Sequence, residues 1–136
     1  EDLFPVVILG KFQAGKSQER RLQVHGEYRL SELHELVDRY GITVGFVPSV
    51  WPETYNLVAD ELISLGLPVV CFDIGAHAER VRGYARGHVL PLGLKDDPAR
   101  LAARIARIFE QATDLPPPAS ADASEKGDPA MLVSVP

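Results

Sequence analysis

Among the residues of this chain that could do chemistry, the carboxylates Glu53 and Glu61 form the most suggestive pair. Seven residues separate them within PSVWPETYNLVADE, residues 48–61. Glu53 closes a loop containing Trp51 and Pro52 that follows an apolar run, and Glu61 falls inside the helix that the next residues predict. A helix beginning near Thr54 leaves the amides of Thr54, Tyr55, Asn56 and Leu57 without intrahelical partners. Such amides, aided by the helix dipole, attract phosphate, while a carboxylate accepts two hydrogen bonds from neighbouring hydroxyls. Eight residues at 1.5 Å each put the two carboxylates roughly 12 Å apart along a helix. The combination suits a ligand that carries both phosphate and sugar hydroxyls. An E-x7-E spacing taken alone is more often two solvated carboxylates, and Glu53 could simply cap the helix.

A second pattern competes with the first. Gly10-Lys11-Phe12-Gln13-Ala14-Gly15-Lys16-Ser17 matches the phosphate loop G-x-x-x-x-G-K-S and follows an apolar run, and Asp73 closes PVVCFD as a magnesium-holding aspartate would. The context is poor. Only SQERR separates Lys16 from the next strand-like run, LQVHG, and a parallel crossover needs about a dozen residues. Residues 11–21 therefore read as a polar surface loop. Metal chemistry has less support: His25, His34, His77 and His88 lack ligand spacing, and Cys71 sits inside an apolar run as a core thiol.

The elements that must position these groups alternate between short Val- and Ile-rich runs and helical patterns, the mark of a parallel α/β sheet. Strands are expected at 5–10, 22–25, 43–48, 68–72 and 88–91, apolar on both faces as in a sheet covered on both sides. Helices are expected at 31–39, starting at Ser31 and ending at Gly41; at about 55–65, with Tyr55, Val58, Ala59 and Leu62 inward; and near 98–112. The last has Pro98 in its first turn, Leu101, Ile105, Ile108 and Phe109 on one side, and Arg100, Arg104 and Arg107 on a solvated face. Residues 1–114 read as one Rossmann-like domain, and 115–136 as a linker or disordered tail rich in Pro, Ala and Ser. Within that tail MLVSVP could add a short strand, though nothing in the sequence fixes where.

The chain has 136 residues, 46% of them hydrophobic and 24% charged, as in an ordinary globular domain. A net charge of −5 argues against nucleic acid as the main partner. The apolar runs have strand length, too short to span a bilayer, and a cytoplasmic setting is the expectation.

Read residue by residue, the chain resembles the C-terminal nucleotide-binding half of retaining glycosyltransferases of the GT-B fold, family GT4. The matching pieces are VVILG (6–10), LQVHGEY (22–28), SELHELVDRYGI (31–42), TVGFVPSVWPE (43–53), TYNLVADELISLGLPVVCFD (54–73), IGAHAERVRG (74–83) and GHVLPL (87–92). The resemblance covers roughly 110 residues. Many relatives have Gly-Gly where this chain has Ala76-His77, and Gly in place of Asn56. It implies a doubly wound parallel sheet that binds a nucleoside-diphosphate sugar, with Glu53 facing the donor sugar as the catalytic residue and Glu61 holding ribose hydroxyls. It further implies that Ser49 and the Thr54–Leu57 amides serve the donor, that Glu27 and Tyr28 lie near the base, and that Glu79 supports the site or caps its helix. No resident cofactor or divalent metal is implied. The acceptor, a glycan or lipid-linked glycan of bacterial cell-surface polysaccharide synthesis, would be held by an N-terminal domain, with peripheral contact at the inner face of the membrane in the full-length enzyme. Nothing in the chain matches the first strand and helix of the family's half-domain, so the sheet is expected to lack its central strand, with the gap closed locally or filled by another chain through a homodimer or strand swap. The alternatives are an NTP-binding protein using Gly10–Ser17, a non-catalytic nucleotide-binding domain, and a phosphorylase or sugar-phosphate synthase on the same fold.

Overall fold

The computed structural model of the chain describes residues 5–10, 22–51, 56–113 and 130–134. Six strands are present among them: β1 (Val6–Leu9), β2 (Leu22–Gly26), β3 (Ile42–Val47), β4 (Val69–Phe72), β5 (Gly87–Leu90) and β6 (Ala130–Ser134). The helices are α1 (Leu33–Tyr40), α2 (Leu57–Ser64), α3 (Gly75–Arg82) and α4 (Pro98–Thr113). The five strands expected from the apolar runs all form, within two residues of the expected bounds.

All the strands belong to one sheet in the order β2-β1-β6-β3-β4-β5, and every pairing is parallel. Counted from β6 as the first strand, this order reads 3-2-1-4-5-6, that of a doubly wound Rossmann-like sheet. The expected central gap is therefore closed, and by residues of the same chain. Residues Val6 to Leu9 pair with Met131 to Ser134 on one side, and on the other Ile42 pairs with Ala130 and Phe46 with Val133. Residues 130–134 thus belong to the middle of the sheet and not to a tail over 115–136; residues 114–129 lie outside the described residues. The physical reason is the run Ala-Met-Leu-Val, which has strand length and is apolar on both faces. A site between two parallel neighbours, covered on both faces, is where such a run loses the most water.

The helices divide between the two faces as right-handed crossovers require. The connections from β2 to β3 to β4 to β5 all move one way along the order, and they place α1, α2 and α3 on one face. There Leu33, Leu36, Val37, Ala59, Leu62, Ala78 and Val81 pack on Leu9, Val47, Val69, Cys71 and Leu132. The return from β5 to β6 moves the other way, and Ile105, Ile108, Phe109 and Ala112 of α4 pack on Val44, Phe46, Val70, Phe72 and Met131 of the opposite face. Arg100, Arg104 and Arg107 are exposed, as expected of a solvated stripe. Cys71 is a buried core thiol, its pKa pushed up to about 11, mainly by burial.

Two glycines set how closely helices approach the sheet. A Cβ on Gly45 of β3 would lie 2.5 Å from a methyl of Leu62 on α2. A Cβ on Gly87, at the start of β5, would lie 1.9 Å from the Val81 carbonyl oxygen, a backbone atom that closes α3. Helix ends also depart from the sequence expectation. Ser31 does not open an α-helix: a 3-10 turn, Leu30–Glu32, precedes α1, fastened by the Glu32 carboxylate accepting from the Arg29 amide at 2.8 Å. Gly41 ends α1 in the left-handed conformation, φ 65°, as expected.

Candidate functional site at the carboxyl edge

In an open α/β sheet, ligands bind outside the carboxyl ends of the strands, where the order reverses and the chain departs to opposite faces. Here the order reverses across β6: on one side of it β1 leads outward to β2, and on the other β3 leads outward to β4 through α2. The segment that follows β3 is Pro48-Ser49-Val50-Trp51, so the first part of the sequence-expected site does stand at the switch point. Glu53, Thr54 and Tyr55 lie outside the described residues.

Ser49 donates its hydroxyl to the Trp51 carbonyl at 3.3 Å, which turns the loop back on itself. Trp51, 74% exposed, together with Val50 and Leu57, makes up the exposed large hydrophobic residues among those described. All three flank this one loop. Asn56 then caps α2: its backbone is extended, and its side-chain oxygen accepts from the Ala59 amide at 2.9 Å. The first helical bond runs from the Asp60 amide to the Asn56 carbonyl at 3.2 Å. α2 therefore starts at Leu57 and not near Thr54. Asn56 is the cap instead of a residue of the first turn, and the amides the helix leaves over are those of Leu57 and Val58. An Asn with extended backbone is among the best of caps, and it outcompetes the acidic and hydroxyl residues upstream that also read as a helix start.

Glu61 lies half-buried in the second turn of α2. Its neighbour Asp60 is taken up by α3 through Arg80 Nε at 2.8 Å. Glu61 stands about 100° further round the helix, away from that ion pair. Glu27 and Tyr28 follow β2 at the outer edge of the sheet, beyond Gly26, whose φ of 92° turns the chain. The Gly26 carbonyl accepts from the Gly10 amide at 2.8 Å, tying the carboxyl ends of β1 and β2 together. Glu27 is exposed, while Tyr28 packs against the three-helix core and is half-buried. The ends of β2 and β3 are three strand spacings apart, roughly 14 Å. Glu79 is an exposed residue in the middle of α3 and does not cap it; that helix has Ile74 at its N-cap and no side-chain cap bond. His77, in the first turn of α3, is buried, which its surroundings in the sequence do not announce.

The phosphate-loop pattern meets a mixed result. Gly10 adopts φ 113° at the end of β1, and residues 11–17 lie outside the described residues. β1 and β2 are parallel neighbours joined by twelve residues, 10–21, so the connection just reaches the length of a crossover. The length objection is therefore weaker than the sequence suggests. Asp73 supplies a stronger one: β4 stands three places from β1, roughly 14 Å away across β6 and β3. The Asp73 carboxylate accepts from the Arg82 guanidinium at 2.6 Å on an exposed surface, which raises the Arg82 pKa. Asp73 is thus ion-paired and stands three strands from the Gly10 end of β1.

Among the described residues no group of three or more His, Cys, Asp or Glu side chains is placed to hold a metal ion, and no helix is long and apolar enough to cross a membrane. Comparison of the chain with protein-family models, with curated proteins and with solved structures returned no match.

Proposed function

We propose that this domain binds a nucleoside-diphosphate sugar across its carboxyl edge and forms the donor half of a retaining glycosyltransferase of the GT-B type. The observation that carries the reading is the strand order. With β6 in the middle, the order reverses between β1 and β3, on either side of it, and the segment that follows β3 is the one whose residue types suit phosphate and sugar hydroxyls. In this reading the diphosphate lies toward the Leu57 and Val58 amides, where the helix dipole favours negative charge. The ribose hydroxyls bind Glu61, the base lies toward Glu27 and Tyr28, and Glu53 faces the donor sugar. A further domain holds the glycan acceptor, and the transfer belongs to the two together.

Titration of the chain with UDP, GDP, dTDP and ATP, followed through the fluorescence of its single tryptophan, Trp51, tests this directly. One diphosphate should bind, and Glu61→Ala should weaken it about tenfold, the loss expected of a hydrogen bond to a charged group. Lys16→Ala should leave binding unchanged. Magnesium-dependent ATP binding lost with Lys16→Ala would replace this reading with the phosphate loop, and failure to bind any nucleotide would end both.

A further inference from the structure

The central strand of a doubly wound sheet has its carboxyl end at the heart of the ligand crevice, and in this chain that strand is β6. We propose that Ser134, at the carboxyl end of β6, is a ligand-contacting residue whose hydroxyl donates to the phosphate of the nucleotide bound at the switch point. The inference rests on the nucleotide reading above and adds to it a residue some eighty positions away from the segment that suggested it.

The placement follows from register and alternation. Leu9 pairs with Ser134 across the β1–β6 ladder, and Phe46 with Val133 across the β3–β6 ladder, so Val47 stands beside Ser134 one step further on. Side chains alternate along a strand. Met131 and Val133 pack on the α4 side, whereas Ala130 and Leu132 pack on the three-helix side. Ser134 therefore faces the three-helix side, the side of α2 and its capped amino end. Leu132 is wholly buried and Ser134 is not: the strand passes from core to solvent within two residues.

The hydroxyls of Ser49 and Ser134 differ in what occupies them. Ser49 donates to Trp51 within its own loop. Ser134 takes part in no side-chain hydrogen bond with another described residue. Other polar groups at the same edge are already engaged or carry the wrong charge. The Gly10 amide is held by the Gly26 carbonyl, and Asp73, two strands away, is acidic and paired with Arg82. Of the strand ends that meet at the switch point, β6 brings a neutral donor, which an anionic ligand can take up without repulsion.

Backbone NMR of the chain of residues 1–136, titrated with UDP, GDP, dTDP and ADP, gives the test. With the diphosphate that binds the wild type, the Val133 and Ser134 amides should shift. Ser134→Ala should bind about tenfold more weakly, and Ser134→Thr, which keeps the hydroxyl, should recover most of the affinity. Thermal unfolding of both variants should match the wild type, since the side chain stands at the rim of the core. Binding by Ser134→Ala equal to wild type, with unmoved Val133 and Ser134 amides while Glu61→Ala weakens binding, would overturn this inference and leave the nucleotide reading standing. A wild type that binds no diphosphate would overturn both.

Discussion

The two edges of this sheet are built on different terms. At the amino edge the loops are stitched to the sheet. The Tyr84 hydroxyl donates to the Leu67 carbonyl at 2.9 Å, Arg86 donates to the Gly66 carbonyl at 2.8 Å, and the Ala130 and Met131 amides donate to the Gly41 and Pro5 carbonyls at 3.0 and 2.9 Å. Gly87 lies directly beneath the α3 backbone. At the carboxyl edge the described residues show a self-bonded serine, a capped helix start, and Trp51 and Leu57 open to solvent. The difference lies in what each edge exposes: the amino-edge loops bond back to the sheet, whereas the carboxyl edge, although Gly10 and Asp73 are also engaged there, leaves large apolar side chains in solvent.

The sharpest way to break this division is Gly87→Ala. Its methyl group cannot fit 1.9 Å from a carbonyl oxygen, so α3 or β5 must move. A loss of about 3 kcal/mol or more is expected, at or beyond the usual range for overpacking, in urea unfolding. Leu132→Ala, in the middle of the central strand, should cost about 2–5 kcal/mol in the same assay. Tyr84→Phe at the amino edge should cost about 1 kcal/mol, the worth of its bond to Leu67. Trp51→Ser at the carboxyl edge should change stability by less than about 0.5 kcal/mol, and should act instead on nucleotide affinity measured by calorimetry. If Trp51→Ser unfolds the domain while Tyr84→Phe leaves it intact, the comparison fails.

The smallest effect expected is one of pH. His88, on the edge strand β5, has its pKa lowered by burial. The folded state then binds fewer protons than the unfolded chain between the lowered value and the ordinary one. This contribution to stability is fully present above about pH 6.5, and it is lost as pH falls through the folded value. Thermal melts from pH 7.5 down to pH 5 should show that slope in the wild type and a shallower one in His88→Gln.

Much of this fold is legible in the sequence because it rests on local patterns. VVIL, ITVGFV and VVCF are apolar on both faces and become strands of a sheet covered on both sides. Pro98 opens α4, and Gly41 closes α1. The position of β6 is not local. MLVSV reads as strand material, but its place depends on pairing with residues more than eighty positions earlier, and no pattern within it states the partner. The start of α2 is displaced for a different reason. Glu53 and Thr54 also read as a helix start, but Asn56 is the better cap by residue type and takes that place through the bond it accepts from the Ala59 amide. Of the candidate site, the segment after β3 is visible in the sequence and the contribution of Ser134 is not, since a lone serine after an apolar run carries no signal until its strand has been placed.

The late arrival of β6 has a consequence for the making of this protein. β1 and β3 have no partner between them until residues 130–134 exist, so a chain growing from its amino end holds two open, apolar strand edges in the meantime. At about 5–20 residues per second, synthesis of the intervening stretch takes on the order of 5–15 seconds. An unpaired edge of this kind templates pairing with other chains. The hazard of aggregation therefore falls on the nascent chain, during those seconds, and ends when β6 enters the sheet.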